Sequence, residues 1–332
     1  MKIDKEFSHG GDLEAFKKEY NLESAIDLSS NINFLKPNIE IDFNSLDISS
    51  YPNYDKFYKS IAKHFGVKKS QIELYNGGSS AIFRLFEVLK PKHCTIYSPA
   101  YLEYKRVAKS LHVRVELLNR FKNLYKELKR GTFVVFVNPS TPDGKYYDLH
   151  RLFEIWGRAD ATVLIDESFL EFCDKKSCVE ELRRYEKLYI LKSMTKFYSS
   201  AGVRVGVVIS NRKNIKKLKI KEPLWKLSSF DTAYLSEALK DKEFMRKTRK
   251  KIDKNRKFLE KILKKTGKFE KIYKSEANFL LAKLKNGTAK EFQKEIAKNG
   301  IMVRDCSNFD FLDERFVRIA VKSKRDMKSI FS

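Results

Sequence analysis

Residues 161–168 read ATVLIDES, and residues 188–198 read LYILKSMTKFY. Each stretch begins with a short apolar run and becomes polar at its end, at Asp166 in the first and at Ser193 in the second. Apolar runs of this length, rich in Val, Ile and Tyr, are typical of strands that are buried on both faces of a sheet. The two stretches therefore predict core strands whose ends carry polar residues.

Similar apolar runs alternate with helical patterns through the middle of the chain. This alternation predicts an α/β layered domain with a mostly parallel sheet. The predicted strands cover residues 94–98, 113–117, 133–138, 162–166, 188–191 and 203–209, and the predicted helices cover residues 79–89, 101–111 and 149–157. Beyond residue 225, a second, smaller α+β domain is predicted from a Lys-rich helix at 229–266, strands at 279–284 and 316–321, and a helix at 289–299.

The charge of the chain raises the question of an anionic partner. The 332 residues include 68 Lys and Arg against 43 Asp and Glu, a net charge of +25, and the hydrophobic content of 42% excludes a wholly disordered chain. The densest basic block, residues 240–275, carries apolar residues such as Phe258 and Ile262 at helical spacing. An amphipathic helix with a solvated basic face is therefore predicted, and no nucleic-acid partner is expected.

The cysteines, the N-terminal residues and the longest apolar runs indicate the cellular compartment of the protein. The four cysteines, at positions 94, 173, 178 and 306, form no CxxC pair and have no His cluster beside them, so no metal site is expected. The N-terminal residues lack the apolar core of a signal peptide, and no run of about 18 apolar residues is present. These features predict a cytoplasmic protein without a membrane partner.

Three polar segments fall where an α/β sheet collects ligands, at the carboxyl ends of strands and before a helix. Asn-Gly-Gly-Ser-Ser at residues 76–80 has the small residues and free N–H groups of an anion site. Asp166-Glu167 and Lys196 follow two predicted strands. Taken singly, each has a plainer explanation: a helix N-cap, the start of a loop and a surface lysine.

The order of these segments is more specific than any one of them. Gly-Ser-Ser at 78–80, Asp166 at a strand end, Ser-x-x-Lys at 193–196 and Gly-x-Arg-x-Gly at 202–206 together resemble the fold-type I pyridoxal-phosphate enzymes of the class I and II aminotransferase family. The resemblance covers nearly the whole chain and points to the branch that holds histidinol-phosphate aminotransferase and L-threonine-O-3-phosphate decarboxylase. Stretches that resemble the decarboxylase side lie at residues 9–11, 27–33, 166–172, 193–198, 277–281, 303–309 and 318–323.

The resemblance implies an architecture. It is an α/β fold in which a large cofactor-binding domain has a mostly parallel seven-stranded sheet and a smaller domain is α+β. Residues 1–40 would form an N-terminal arm and part of the small domain, residues 41–224 the large domain, and residues 225–332 the C-terminal small domain. The enzyme would be a homodimer with shared active sites.

The resemblance also implies which residues bind the cofactor. Lys196 would hold pyridoxal 5′-phosphate as a Schiff base and later transfer a proton, two tasks that suit a lysine with a lowered pKa. Asp166 would pair with the pyridinium nitrogen, so that the ring can accept electrons from Cα. The remaining matches place Ser79, Ser80, Ser193 and Arg204 at the phosphate, Tyr101 on the ring, and Tyr51 at the phosphate of the neighbouring subunit's cofactor.

Substrate contacts follow in the same way. Arg318 matches the arginine that grips the substrate α-carboxylate, for which a planar guanidinium is suited. Arg304 would face the substrate's own phosphate, together with His9 and Lys322, and Asn33 joins the substrate-binding set. Plainer alternatives remain for two of them: Arg318 as a salt-bridged strand residue, and His9 as a capping residue in an N-terminal arm.

Two cofactor-facing positions depart from the family. The usual Asn-Asn-Pro-Thr-Gly reads Ser-Thr-Pro-Asp-Gly at residues 140–144, so Thr141 stands where an asparagine bonds the cofactor's O3′. Phe169 stands where aminotransferases of this branch have a tyrosine with the same task, and the decarboxylases also carry Phe there. The loss of both donors predicts a shifted Schiff-base pKa but retained cofactor binding.

The function predicted from this resemblance is that of a lyase. It would decarboxylate O-phospho-L-threonine or O-phospho-L-serine to the phosphorylated amino alcohol and CO₂. An aminotransferase of the histidinol-phosphate type is the first alternative. The second belongs to another class: a non-catalytic basic binding protein on a degenerate enzyme fold, which would lack cofactor absorbance.

Overall fold

Thirteen β-strands and eleven α-helices build residues 10–331, the part of the chain that the computed structural model describes. The strands are β1 (Ile26–Asp27), β2 (Ile72–Tyr75), β3 (His93–Ser98), β4 (Arg114–Asn119), β5 (Phe133–Val137), β6 (Thr162–Asp166), β7 (Leu188–Ser193), β8 (Gly206–Ser210), β9 (Phe269–Ile272), β10 (Phe279–Leu284), β11 (Ile301–Met302), β12 (Arg304–Asp305) and β13 (Phe316–Ala320). The helices are α1 (Leu13–Tyr20), α2 (Asp55–Phe65), α3 (Gly77–Leu89), α4 (Glu103–Ser110), α5 (His150–Arg158), α6 (Met194–Phe197), α7 (Arg212–Lys219), α8 (Ser229–Ala238), α9 (Lys242–Lys265), α10 (Ala289–Ala297) and α11 (Lys324–Lys328).

A seven-stranded sheet organises the larger part of the molecule. Its strand order is β2-β8-β7-β6-β5-β3-β4, and only β8 runs antiparallel to its neighbours. Along β5, Val134 and Phe136 pack into one apolar core while Phe133, Val135 and Val137 pack into another. Helices α2 and α5 contribute to the first core, and α3, α4 and α7 to the second. The apolar runs are therefore covered on both faces, and the prediction of a mostly parallel sheet is confirmed.

A second, four-stranded antiparallel sheet lies in the C-terminal part, with the order β12-β13-β10-β9. Its register places Arg304 of β12 directly opposite Arg318 of β13. The short strand β1 pairs in parallel with β11, through Ile26 and Ile301. An N-terminal segment is thus joined to the C-terminal α+β part, while the exact domain boundaries stay a prediction.

The predicted helix over residues 229–266 is wrong in one respect, because it is interrupted. Helix α8 ends at Ala238 and α9 begins at Lys242, after Asp241 accepts a hydrogen bond from the Phe244 amide at 2.7 Å. An acidic side chain in this position caps the first turn of a new helix. Strands β2 and β9 and the two-residue strands β1, β11 and β12 were not predicted.

Helix α9 carries much of the basic block. Its buried residues, including Ile252, Leu259 and Leu263, recur at helical spacing and face the core. Lysines such as Lys250 and Lys257 are exposed on the other face. Over residues 10–331, no helix is both long enough and apolar enough to cross a membrane.

Candidate active site

A cavity of about 350 Å³ lies at the carboxyl ends of β6 and β7. The N-terminal turns of α3, the loop at residues 29–32 and strands β12 and β13 complete its walls. Polar residues collect here because the parallel strands all end at this edge of the sheet. The cavity brings together ten of the residues predicted from the sequence: Ser79, Tyr101, Thr141, Asp166, Phe169, Ser193, Lys196, Arg204, Arg304 and Arg318.

Two other predicted residues do not line the cavity, and a third lies outside residues 10–331. Ser80 donates its hydroxyl to the Asn76 carbonyl at 2.7 Å and does not line the cavity. Tyr51 is 74% exposed on the surface of this single chain, stacked on Trp225 at 4.0 Å. His9 lies outside the described residues.

Asn33 and Lys322 lie behind the cavity wall and do not line it. The Asn33 amide donates to the Phe197 carbonyl at 2.8 Å, and Lys322 Nζ donates to the Ile32 carbonyl at 2.7 Å. Both side chains hold the backbone of the 29–33 segment and its surroundings. Their predicted contact with substrate stays a prediction, and the geometry favours a supporting position.

Lys196 is held in the cavity by the short helix α6, which begins directly after β7. Its Nζ lies 5.4 Å from the centre of the Phe169 ring. Burial lowers the pKa of Lys196; the Asp166 carboxylate opposes this shift, and the cationic Arg204 and Arg318 add to it. A lowered pKa increases the neutral, nucleophilic fraction of the amine at neutral pH.

Asp166 sits at the end of β6 with both carboxylate oxygens engaged. Oδ1 accepts hydrogen bonds from the amide and hydroxyl of Ser168, and Oδ2 accepts from the Tyr104 hydroxyl at 2.5 Å. Neither Ser168 nor Tyr104 was predicted. Signals for both are present in the sequence. Asp-x-Ser is typical of an Asx turn, and a spacing of three places Tyr104 on the same face as Tyr101 in the helix predicted over residues 101–111, although α4 begins only at Glu103.

The N-terminus of α3 forms another wall of the cavity, beside Ser193 and Arg204. Gly77 has φ +84°, and a Cβ on it would lie 2.6 Å from Arg204 Nη2, so only glycine lets this arginine approach. A Cβ on Gly206 would likewise lie 2.6 Å from the Gly77 carbonyl carbon. Ser79 and Ser193 line the same wall. Free helix N–H groups, hydroxyls and a guanidinium together suit a phosphate group.

Arg318 projects into the cavity from β13. Its Nη1 donates to the Thr141 hydroxyl and its Nη2 to the Ser29 carbonyl, both at 3.1 Å. Burial lowers the pKa of Arg318 to about 10, partly opposed by Cys306, so the guanidinium stays charged at neutral pH. Among residues 10–331, no carboxylate forms an ion pair with it. A buried cation without an anion is a strong site for an anionic ligand.

Arg304 lies opposite Arg318 on β12. Its Nη2 donates to the Asn308 side-chain oxygen at 2.7 Å, and its guanidinium lies 5.4 Å from the centre of the Phe309 ring. Burial lowers its pKa as well. The sequence had indicated Arg304 but not Phe309, which lines the cavity beside it.

The two departures from the family both lie in the cavity. Phe169 packs edge-on against Phe279, with ring centres 5.0 Å apart. Thr141 offers its hydroxyl to Arg318 as an acceptor. The aromatic ring of Phe169 carries no hydrogen-bonding group, so this wall presents one hydroxyl where the family commonly presents two donors.

These residues fit pyridoxal phosphate. The cavity has a buried amine of lowered pKa at Lys196, a carboxylate at Asp166 that accepts three hydrogen bonds, and a glycine-dependent anion wall at α3. Tyr101 lines the same space, and its hydroxyl lies 3.3 Å from that of Ser79. Tyr101 suits the flat ring of a phosphorylated pyridine, Asp166 suits its nitrogen, and the α3 wall suits its phosphate.

Comparison with known proteins agrees with this geometry. A model of the family described as aminotransferase class I and II matches residues 26–331. A protein of Caldanaerobacter subterraneus subsp. tengcongensis, named "Putative threonine-phosphate decarboxylase", is 31% identical across 97% of this chain and 91% of its own length. The histidinol-phosphate aminotransferase of Methanocaldococcus jannaschii is 29% identical across 96% of this chain and 91% of its own length.

A solved structure gives the same result. The histidinol-phosphate aminotransferase from Clostridium acetobutylicum matches with a TM-score of 0.82 and 28% identity, covering 92% of this chain and 98% of that chain. The predicted family, fold and cofactor are confirmed. The chain belongs to the aminotransferase class I and II family and is an enzyme that depends on pyridoxal phosphate.

Proposed function

We propose that this enzyme decarboxylates a phosphorylated amino acid, O-phospho-L-threonine or O-phospho-L-serine, to the phosphorylated amino alcohol and CO₂. The observation that carries the proposal is the pair of buried arginines, Arg304 and Arg318, directly opposite each other on β12 and β13. Like charges in this arrangement destabilise a sheet. A substrate with both a carboxylate and a phosphate suits this arrangement, because its two anionic groups can each face one guanidinium.

The residues of the cavity have separate roles in this reaction. When bound, pyridoxal phosphate accepts the electron pair left at Cα as one of its bonds breaks. Arg318 holds the substrate carboxylate and Arg304 its phosphate, and their positions select the bond that breaks. Release of the carboxylate gives decarboxylation, whereas loss of the Cα proton leads to transamination. Lys196, with its lowered pKa, then carries a proton to Cα through Nζ.

Decarboxylation is supported by Phe169 and by the name of the Caldanaerobacter relative. An aminotransferase of the histidinol-phosphate type is the second candidate. It is supported by the Methanocaldococcus relative and by the Clostridium structure, whose identities to this chain are only slightly lower. Both candidates act on a phosphorylated amine or amino acid, so Arg304 would serve either. Only the phosphorylated amino acid also carries a carboxylate for Arg318 on the same molecule.

The surface around Tyr51 supports a homodimer with shared active sites. Tyr51 and Trp225 form an exposed stacked pair, and Ile48 and Leu224 are exposed near them in the sequence, at 72% and 76%. Exposed apolar groups of this size are typical of a protein interface. All four cysteines are free, which agrees with a cytoplasmic enzyme.

Separate incubations of the holoenzyme with O-phospho-L-threonine, O-phospho-L-serine and histidinol phosphate test the proposal. We expect CO₂ and a phospho-amino alcohol from one of the first two, without added keto acid. Unphosphorylated threonine and serine are the matched controls and should not turn over, because they lack the phosphate that Arg304 is proposed to bind. Conversion of the cofactor to its amine form without CO₂ release, reversed by a keto acid, would establish the aminotransferase instead.

Tyr104 gives a second prediction at the same site. The Tyr104→Phe variant loses the hydrogen bond to Asp166, and a bond to a charged group contributes about 1.5–3 kcal/mol. We expect turnover to fall by about tenfold or more, with Lys196 still carrying the cofactor and with a changed pH dependence of cofactor absorbance. Stopped-assay rates and a spectral pH titration measure both effects.

The Tyr97→Phe variant is the matched control. Tyr97 is equally buried, but its hydroxyl accepts from Trp156 at 3.2 Å and lies outside the cavity. It should lose stability without a spectral change. Equal spectra in all three proteins would show that Tyr104 is only a packing residue.

A further inference from the structure

A second, larger cleft lies apart from the cofactor cavity. It has a volume of about 1170 Å³ and shares no lining residue with the cavity. Four segments form it, at residues 119–126, 143–147, 271–276 and 311–316. We call it the basic cleft, after the cationic side chains that line it: Arg120, Lys122, Lys126, Lys145, Lys271 and Lys274.

The charge of the basic cleft is poorly compensated. Only two lining residues are acidic, Asp143 and Glu276, and Asp143 is buried and accepts hydrogen bonds from Ser140 and Tyr147. Lys126 pairs with Glu116 at 2.8 Å. Within residues 10–331, the other four lysines, at 122, 145, 271 and 274, have no carboxylate in ion-pair contact. Four exposed cations are therefore available to an anion.

Aromatic rings alternate with these cations. Phe121, Tyr125 and Phe311 line the basic cleft and are 38%, 42% and 48% exposed. Lys145 Nζ lies 4.7 Å from the centre of the Tyr147 ring, and Lys271 Nζ lies 4.5 Å from that of Tyr273. Lys145 and Lys271 thus lie over aromatic faces. Phe121 also packs against Tyr273 at 5.6 Å, and the Arg151 guanidinium lies 4.3 Å from the centre of the Tyr125 ring, so these two rings are only partly exposed.

Phe311 adds a separate sign of a ligand site. Its φ of +65° is in the left-handed region, which a bulky side chain rarely adopts. Strained residues of this kind concentrate at ligand clamps. In this conformation the Phe311 side chain lies in the basic cleft and stays exposed. The stability of the fold does not require an exposed aromatic ring at this position.

We propose that the basic cleft binds a nucleoside di- or triphosphate, at a site separate from the catalytic cavity. The lysines at 145 and 271 suit a short chain of phosphates, and the partly exposed rings of Phe121 and Phe311 suit a base, which stacks on aromatic faces. A phosphate alone would leave the rings unused, and an uncharged aromatic compound would leave the cations unused. The volume of about 1170 Å³ is slightly above the usual range of about 300–1,000 Å³ for small-molecule sites, so the cleft has room for a nucleotide.

Titration of the holoenzyme with ATP, tripolyphosphate, adenosine and a single-stranded oligonucleotide tests this proposal. We expect saturable ATP binding, with Kd tighter than about 1 mM, and weaker binding of each of the other three. The Lys145→Ala/Lys271→Ala variant should weaken ATP and tripolyphosphate binding alike. The Phe121→Ala and Phe311→Ala variants should weaken ATP by about tenfold and leave tripolyphosphate unchanged.

Lys250→Ala/Lys257→Ala is the matched control, because it removes the same charge from the exposed face of α9 and should bind ATP normally. Cofactor absorbance should be unchanged in every variant, which keeps this site distinct from the catalytic cavity. Tripolyphosphate binding as tight as ATP, tighter binding of the oligonucleotide, ATP binding unaffected by the cleft variants, or no saturable binding would each overturn the proposal.

Discussion

The Lys196→Ala variant is expected to purify without covalently bound cofactor and to lose turnover by at least about 10³-fold, since a positioned proton-transfer group alone contributes 10²–10⁴-fold. The reason lies in the environment of Nζ. The amine is buried beside Asp166, Arg204 and Arg318, and its pKa is lowered. It is therefore a better nucleophile than an exposed lysine at neutral pH.

Visible absorbance, and mass spectrometry after borohydride reduction, measure this result. Lys192→Met is the matched control, because Lys192 is another buried lysine, four residues earlier, and pairs with Glu167 at 2.6 Å. Its loss leaves a buried carboxylate unpaired, so the variant should be less stable but should keep cofactor absorbance. Reduced cofactor found on Lys192 would reverse the assignment of the two lysines.

The Arg318→Gln variant is expected to lower kcat/KM by about 10²–10³-fold. Removing one partner of a buried charge pair costs about 2–5 kcal/mol, and each 1.4 kcal/mol is tenfold. The expected loss is specific to the α-carboxylate. Affinity for the phospho-amino alcohol product, which has no carboxylate, should be nearly unchanged.

Steady-state kinetics and product inhibition measure the two quantities on one preparation. Arg315→Gln provides the control, because Arg315 is in the adjoining turn but is paired at the surface with Asp313 and Glu270. That variant should behave like the unmodified enzyme. An equal loss of substrate and product affinity in Arg318→Gln would mean that Arg318 binds the phosphate instead.

The sequence predicted the central sheet well, because its strands are apolar runs buried on both faces. Residues 162–166 form β6 as predicted, and the other predicted strands lie within a few residues of those observed. Strand β2 was not predicted because it is only four residues long and includes Glu73. The Glu73 side chain is 1% exposed and accepts a hydrogen bond from the Tyr58 hydroxyl. Its burial depends on tertiary partners that local pattern does not contain.

The candidate site was predictable where chemistry fixes the residue type, as for Lys196, Asp166 and Arg204. It was less predictable where a supporting role depends on three-dimensional contact. Tyr104, on helix α4, supports Asp166 at the end of β6, and Asn33 and Lys322 support backbone rather than face the cavity. Side chains of these types perform many tasks, so only the folded arrangement distinguishes them.

The pairing of β1 with β11 has a consequence for the order in which the protein is made. Ser29, whose carbonyl binds the Arg318 guanidinium, precedes it by 289 residues. During synthesis the central sheet can form domain by domain as it emerges. The segment around β1 must wait, unpaired, until almost the entire chain has left the ribosome. The part of the cavity wall that joins Ser29 to Arg318 therefore cannot form until the C-terminal strands have been made.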